Sequence, residues 1–448
     1  MEKNYFLDIR RQKTLEKAWL AIQRNARSSK SEDTRNEVAA FASDLQNNLR
    51  RISRHLQKGT FKFPPAKGVK IPKDPKDKSI FRPLVVAKVE SRVVQRAIHD
   101  VLITIPKIQV YVRTPHSFGG VKKDKEDNIS AVPAAIQAVL DAIGNGGKFI
   151  IRSDITSFFT KIPKSSVTRI VSDAVQMDGF MDIFSKAIAV ELENMAQLRE
   201  SAKAFPIEDI GVAQGNSLSP LLGNIILYDF DKELNKDKDV RCIRYIDDFI
   251  IIAPNKSVAE NAYSKALHIL KGLGMDTSHK KTMKASVTAG FDFLGIELVN
   301  GFIRPSSKSQ ARMIASVEKT IQESKRVFRS TRKTGEVGKN ESLLKTLNKI
   351  SGIMQGWGKH YKFCNDRECL RRLDERILSL IREYLAAYRD EVSISTDSRK
   401  WNLLGIEAIS QIELTSFAWP KSAPPILPAS VINSSVEADQ DSRTPPWE

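Results

Sequence analysis

Apolar residues recur at helical spacing at Leu15, Trp19 and Ile22 and again at Val38, Phe41, Leu45, Leu49, Ile52 and Leu56, which predicts two helices joined by the polar, basic loop Arg24–Arg35. From Gly59 to Lys78 the chain is rich in Pro, Gly and Lys and reads as extended segments linked by turns. Helical spacing returns over Val85–Ile105, and the turn-rich stretch Thr114–Asn128, with its Ser-Phe-Gly-Gly and its run of Lys and Asp, is expected at the surface. Ala131–Ile143 predicts a helix closed by a Gly-Asn-Gly-Gly turn, followed by a strand over Lys148–Ser153 that delivers Asp154 at its end. Further helical patterns cover Ser165 to about Leu198 and Val258–Leu273; Ala213–Leu234 reads as a Gly/Ser/Pro loop running into a helix, and Phe291–Val299 is strand-like.

The most informative stretch is Arg241–Ala253, where two β-branched, aromatic-rich segments flank Ile246, Asp247 and Asp248. The pattern predicts a tight hairpin. Side chains alternate faces along a strand, so two adjacent aspartates reach one centre only from a hairpin tip. Carboxylates that close repel unless a cation or proton intervenes. An Asp-Asp pair in a turn is also ordinary solvated turn chemistry, but the apolar flanks pin this one on a rigid scaffold, and Asp154 at another strand end supplies a third carboxylate.

Beyond Ser306 the strand signal stops. Gln310–Arg332, Glu341–Phe363 and Asp366–Arg389 read as basic amphipathic helices, with Asp366 as N-cap of the last, and Ser422–Glu448 is too rich in Pro, Ser and acid to build a core. Trp357 and Tyr361, one helical turn apart, are expected to pack a core. The fold expected is therefore α+β followed by an all-helical module.

Charge narrows the partners. Lys and Arg number 71 against 53 Asp and Glu, a net +18 spread over many segments, which points to nucleic acid. Three cysteines, Cys242, Cys364 and Cys369, form no CxxC pair, which argues against a zinc finger or disulfide scaffold and fits a reducing, cytoplasmic setting. The charged first 30 residues do not read as a signal peptide, and no apolar run approaches the ~20 residues of a membrane span.

In chain order the sequence carries IPK (71–73), FRPL (81–84), SFGG (117–120), RSDITSFF (152–159), AQGNSLSPLLGN (213–224), RYIDDF (244–249), a Lys-Thr pair after a Gly-Leu-Gly turn, and FDFLG (291–295). Together these blocks resemble a bacterial reverse transcriptase over roughly residues 15–300, and GWGKHY at 356–361 is similar to the thumb of group II intron enzymes. The resemblance implies a right-hand polymerase, with fingers and palm over 1–305, a helical thumb over 306–392 and a partly flexible extension over 393–448.

It also implies roles. Asp154, Asp247, Asp248 and the Ile155 carbonyl would hold two Mg2+ ions, with Mn2+ as a substitute; Lys73 and Arg82 would meet the triphosphate; Phe159 would be the sugar gate that favours deoxynucleotides; and Gln214, Gly215 and Tyr245 would border the nucleotide and template. Phe158 is expected in the core. Lys281 would be the general acid for pyrophosphate departure, and Phe293, Leu294 and Gly295 the primer grip.

No paired-cysteine nuclease or RNase H segment is seen after the thumb, and ARSSKSEDTRN (26–36) stands where intron relatives carry a Gly-rich turn. These departures favour the bacterial enzymes that work outside introns, retron-type and defence-associated. The expected partners are a structured, non-coding RNA template, dNTPs and the cDNA product, with a homo-oligomer or a neighbouring-gene partner left open. Two alternatives stand beside this reading: a maturase-like intron RNA-binding protein, and a template-independent or protein-primed DNA polymerase.

Overall fold

The computed structural model of the chain describes residues 4–29, 31–73, 77, 79–120, 131–330, 332 and 341–409. The expectations for 422–448 and for most of the Lys/Asp run lie outside these residues. The chain divides into two compact units, one formed by Met1–Ile314 with Gln355–Arg376 and the other by Ala315–Met354 with Ile377–Glu448.

The first unit is built on an antiparallel four-stranded sheet in the order β4-β5-β3-β6, with β3 at Phe149–Asp154, β4 at Arg241–Tyr245, β5 at Asp248–Ala253 and β6 at Met283–Ser286. Alternation along the strands sends Cys242, Ile151, Phe249 and Ile251 into one apolar cluster and Ile243, Ile150, Ile250 and Ile252 into another. The helix Lys256–Gly272 contributes Ala259, Tyr263, Ala266 and Leu270 to the first cluster, and the helix Ala131–Gly144 contributes Ala135, Ile136 and Val139 to the second. Cover on both faces is why Phe249–Ala253 reads as an unbroken apolar run.

Two smaller sheets flank this one. β1 (Lys67–Pro72) and β2 (Phe81–Val86) form an antiparallel hairpin paired from Lys67↔Val86 to Pro72↔Phe81. β7 (Phe291–Phe293), β8 (Ile296–Val299) and β9 (Phe302–Pro305) form a meander. Leu294 and Gly295, at φ 52° and 80°, make the turn inside the stretch expected as one strand.

Several expectations need correction. The second N-terminal helix is two, Glu32–Ser43 and Leu45–Gln57, because Asp44 leaves the helical region at φ −132°. Val85 and Val86 end β2, and the helix starts only at Val89. The pattern over 165–198 splits into Lys164–Val175, Asp178–Ile188 and the single turn Met195–Leu198, with Gln176 at φ 51° between the first two. Ser117 and Phe118 are buried rather than at the surface, because the Phe118 N–H donates to the Arg244 carbonyl at 2.9 Å and the Arg244 N–H to the His116 carbonyl at 2.8 Å. This segment is stitched to β4. Trp357 and Tyr361 pack with ring centroids 4.5 Å apart, in the apolar cluster that holds Phe291, Phe293 and Ile296. Asp366 caps the helix Arg367–Ser393 as expected, accepting from the Cys369 N–H at 2.9 Å.

The second unit is helical. Its core contains Val317, Ile321, Phe328, Ile377 and Tyr384, with Phe328 and Tyr384 stacked at 6.1 Å. Buried Glu391 receives Arg332 and Arg399, each at 2.8 Å.

Candidate active site

The β-ladder sets the three aspartates. Asp154 ends β3 directly opposite Asp248, the first residue of β5, while Asp248 also pairs with Tyr245 across the hairpin. Ile246 and Asp247 form the two-residue connection, with Ile246 at φ 61°, a conformation that costs a β-branched residue and persists only when its surroundings impose it. Ile155 is buried, and its N–H donates to the Asp247 carbonyl at 3.0 Å, which locks the end of β3 onto the tip.

What imposes the turn is a buried polar network. The Arg244 side chain, 1% exposed, grips Asp231 with Nε at 2.8 Å and Nη2 at 2.6 Å. Its remaining nitrogen, Nη1, donates to Asn224 Oδ1 at 3.0 Å and to the Ile246 carbonyl at 2.9 Å. Asn224 in turn donates to the Gly119 carbonyl at 3.0 Å and accepts from Ser117 Oγ at 3.2 Å. Arg244, Asp231, Asn224 and Ser117 were not singled out from sequence. The signal was there, since an arginine inside an apolar strand must find a partner.

Electrostatics mark the carboxylates as a coupled set. Burial, with Asp247 and Asp154 nearby, pushes the Asp248 carboxyl up to about 6. Burial and Asp154 also raise Asp247, and burial raises the Tyr245 hydroxyl. Lys281 donates to Asp154 Oδ2, with the lysine side chain 64% exposed and the aspartate 13%. Lys281 is therefore the ion-pair partner of Asp154 in this structure. Among the described residues no three His, Cys, Asp or Glu side chains are arranged to share one metal ion. The donor chemistry nevertheless fits a hard divalent cation, because repelling carboxylate oxygens are what such an ion relieves.

Six of the other expected residues line two clefts, while Gly215 lines a third cavity. One, of about 470 Å³, is lined by Lys73, Arg82 and Gln214 together with Ser157 and Thr160. The second, of about 820 Å³, brings Asp248 together with Phe293, Leu294 and Gly295. Arg152 ties β7 to the sheet by donating to the Asp292 carbonyl at 2.7 Å.

Gln214 is joined to β2 through the Val85 N–H at 2.9 Å. Gly215 follows at φ 111°, and a Cβ there would lie 2.8 Å from the Val85 carbonyl oxygen, so only glycine fits. Phe158 is buried against Gly223, as expected for a core residue. Phe159 is half-buried, its carbonyl accepting from the Val212 N–H at 2.7 Å, and its ring does not line the cleft of Lys73 and Arg82.

Residues 71–298, more than half the chain, match the family described as reverse transcriptase (RNA-dependent DNA polymerase). The chain belongs to the reverse transcriptase family. It is similar to Protein YkfC of Escherichia coli K12, 24% identical over 303 residues that cover 60% of this chain and 75% of that protein. It is also similar to the COX1/OXI3 intron 2 protein of Saccharomyces cerevisiae, 26% identical over 186 residues, 42% of this chain and 20% of the relative. The chain thus spans only about a fifth of the yeast protein's length. Among solved structures, apo telomerase from Candida tropicalis matches at TM-score 0.37 and 14% identity, covering 55% of each chain. A partial Cas6-RT-Cas1–Cas2 complex matches at 0.33 and 18%, covering 60% of this chain and 42% of that one.

Proposed function

We propose that the protein is an RNA-directed DNA polymerase that extends a primer with dNTPs on an RNA template. The observation that carries this reading is the register Asp154↔Asp248 beside the Asp247 tip, with the Asp248 carboxyl raised to about 6 by burial and by its two neighbours. A binding protein gains nothing from a buried set of mutually repelling carboxylates, whereas nucleotidyl transfer requires one.

In this reading Asp154, Asp247, Asp248 and the Ile155 carbonyl would hold two Mg2+ ions, or Mn2+ in their place, which when bound would supply activation of the primer 3′ hydroxyl and stabilisation of the leaving pyrophosphate. The protein's own side chains do the rest. Lys73 and Arg82 hold the triphosphate at the edge of the cleft they share with Gln214, Arg82 through its bidentate fork. Gln214, Gly215 and Tyr245 border the nucleotide and template. Phe159 stands against a ribose 2′ hydroxyl, and Phe293, Leu294 and Gly295 set the primer end. Lys281, which reaches the carboxylate of Asp154, would be the residue that gives a proton to pyrophosphate.

The finer setting is also a proposal: a dedicated non-coding RNA template, cDNA as product and use in bacterial antiphage defence, in the cytoplasm. Among the described residues no helix is long and apolar enough to cross a membrane. The yeast relative's name, an intron protein, supports a second reading in which this fold serves intron RNA. Purified protein given Mg2+, a primed RNA template and dNTPs should extend the primer, and rNTPs should not replace dNTPs. Sequencing the nucleic acid that copurifies distinguishes a dedicated cDNA from intron RNA.

A further inference from the structure

A cavity of about 600 Å³ lies in the first unit outside both clefts already described, between the segment 59–66, β2 and the helix Val89–Leu102. That is within the size range of built small-molecule sites. Its floor is apolar, with Val85, Ala189, Val190 and Ala213, and Phe61 and Phe63 stand at its side with rings edge to face at 5.0 Å. Phe61 is buried, while Phe63 is half-buried and lines the cavity.

Into this apolar site the helix sends two polar residues one turn apart, Ser91 and Gln95. Ser91 is 1% exposed, and its hydroxyl has no hydrogen-bond partner. A buried hydroxyl left unpaired is unfavourable, and a ligand offering a donor or acceptor would satisfy it. Gln95 Nε2 and Asn216 Nδ2 both donate to the Ala187 carbonyl at 3.0 Å, so the amides in the wall are held in place.

The charges of the lining do not converge as a phosphate site would require. Lys186 in the wall is paired with Asp182 at 2.7 Å, and the other two charged residues of the lining, Lys62 and Glu191, are of opposite sign. What fits is a flat, neutral heteroaromatic ring with polar edges, in other words a nucleobase.

Position says whose base. The Val85 that floors the cavity donates to the Gln214 carbonyl at 2.9 Å, and Gln214 lines the cleft of Lys73 and Arg82 on the other side of that wall. Beside a polymerase cleft the unpaired nucleotides are those of the template ahead of the primer end. We propose that this cavity receives one unstacked base of the single-stranded RNA template before it enters the cleft, an inference that rests on the polymerase reading.

The test is an abasic scan. Binding of the wild-type protein to RNA templates carrying a 3′-dideoxy primer is measured by fluorescence anisotropy, with blunt ends or with 5′ overhangs of one to four nucleotides. Affinity should step up about tenfold at one overhang length and lose that step when this nucleotide alone is abasic. Ala87→Phe, which fills the cavity, and Phe63→Ala, which removes the stacking face, should both abolish the step and leave blunt-end affinity unchanged. A scan that is flat at every position, or a full step in both folded variants, overturns the proposal. Extension of the matching 3′-hydroxyl primer by the wild type keeps that failure separate from a failure of the polymerase reading, which would show as no extension at all.

Discussion

Arg244 and Asp231 form a bidentate ion pair in which both side chains are 1% exposed, and the same guanidinium holds the carbonyl of Ile246 at the tip of the aspartate hairpin. The pair connects the helix Tyr228–Leu234 to the turn that presents Asp247 and Asp248. Asp231→Ala should destabilise the protein by about 3–5 kcal/mol, because it strands a buried charge. Arg244→Lys keeps the charge but cannot serve Asp231, Asn224 and Ile246 together. Chemical denaturation with parallel primer extension checks this: Arg244→Lys should lose far more activity than stability, and an equal loss of both would reduce the network to a purely structural one.

Asp248 gives a pH dependence of stability. Its carboxyl titrates at about 6 in the folded protein against 3.8 when unperturbed, so between those values the folded form binds more protons than the unfolded. Stability must then fall as pH rises through that window and stay low above it. In EDTA, Asp248→Asn should melt higher than wild type at pH 7.5 and show a flatter profile between pH 4.5 and 6.5. A variant that melts lower at pH 7.5 would contradict the repulsion inferred for the three carboxylates.

Lys281 neutralises Asp154 from an exposed position, an arrangement worth no more than about 1 kcal/mol of stability. Lys281→Met should therefore leave the melting temperature almost unchanged. If the lysine acts as general acid, kcat should fall by about 10²–10⁴ while the Mg2+ concentration for half-maximal rate decreases, since a competing cation has gone. An unchanged kcat in single-turnover assays would remove Lys281 from the chemistry.

Phe159 tests substrate choice. Phe159→Ala should raise the rNTP:dNTP ratio of kcat/KM at least tenfold, with the dNTP value falling less than the rNTP value rises. The half-buried ring lies outside the cleft lined by Lys73 and Arg82. An unchanged ratio would identify Phe159 as packing alone.

The sheet was legible because its chemistry is local. Short β-branched runs, Ile150–Ile151 and Ile250–Ile252, mark both strands, and the carboxylates beyond them, Asp154 and Asp248, stand at the strand ends. The C-terminal helices were legible from their amphipathic period, and Asp366 from its capping chemistry. Less legible was anything set by long-range pairing. The burial of Ser117 and Phe118 depends on β4, more than a hundred residues later in the chain, and the Arg244 network joins four separate segments. The pairing of Lys281 with Asp154 likewise spans residues far apart in sequence. The break at Asp44 was hidden because the apolar period continues across it.

The most direct measurement is primer extension on an RNA template with dNTPs and Mg2+, comparing wild type with Asp247→Asn/Asp248→Asn at matched folded concentration. The wild type should lengthen the primer, and the double variant, which keeps the fold and removes the charges, should produce no extension product. Extension that survives the double change would contradict the assignment of this hairpin as the catalytic centre.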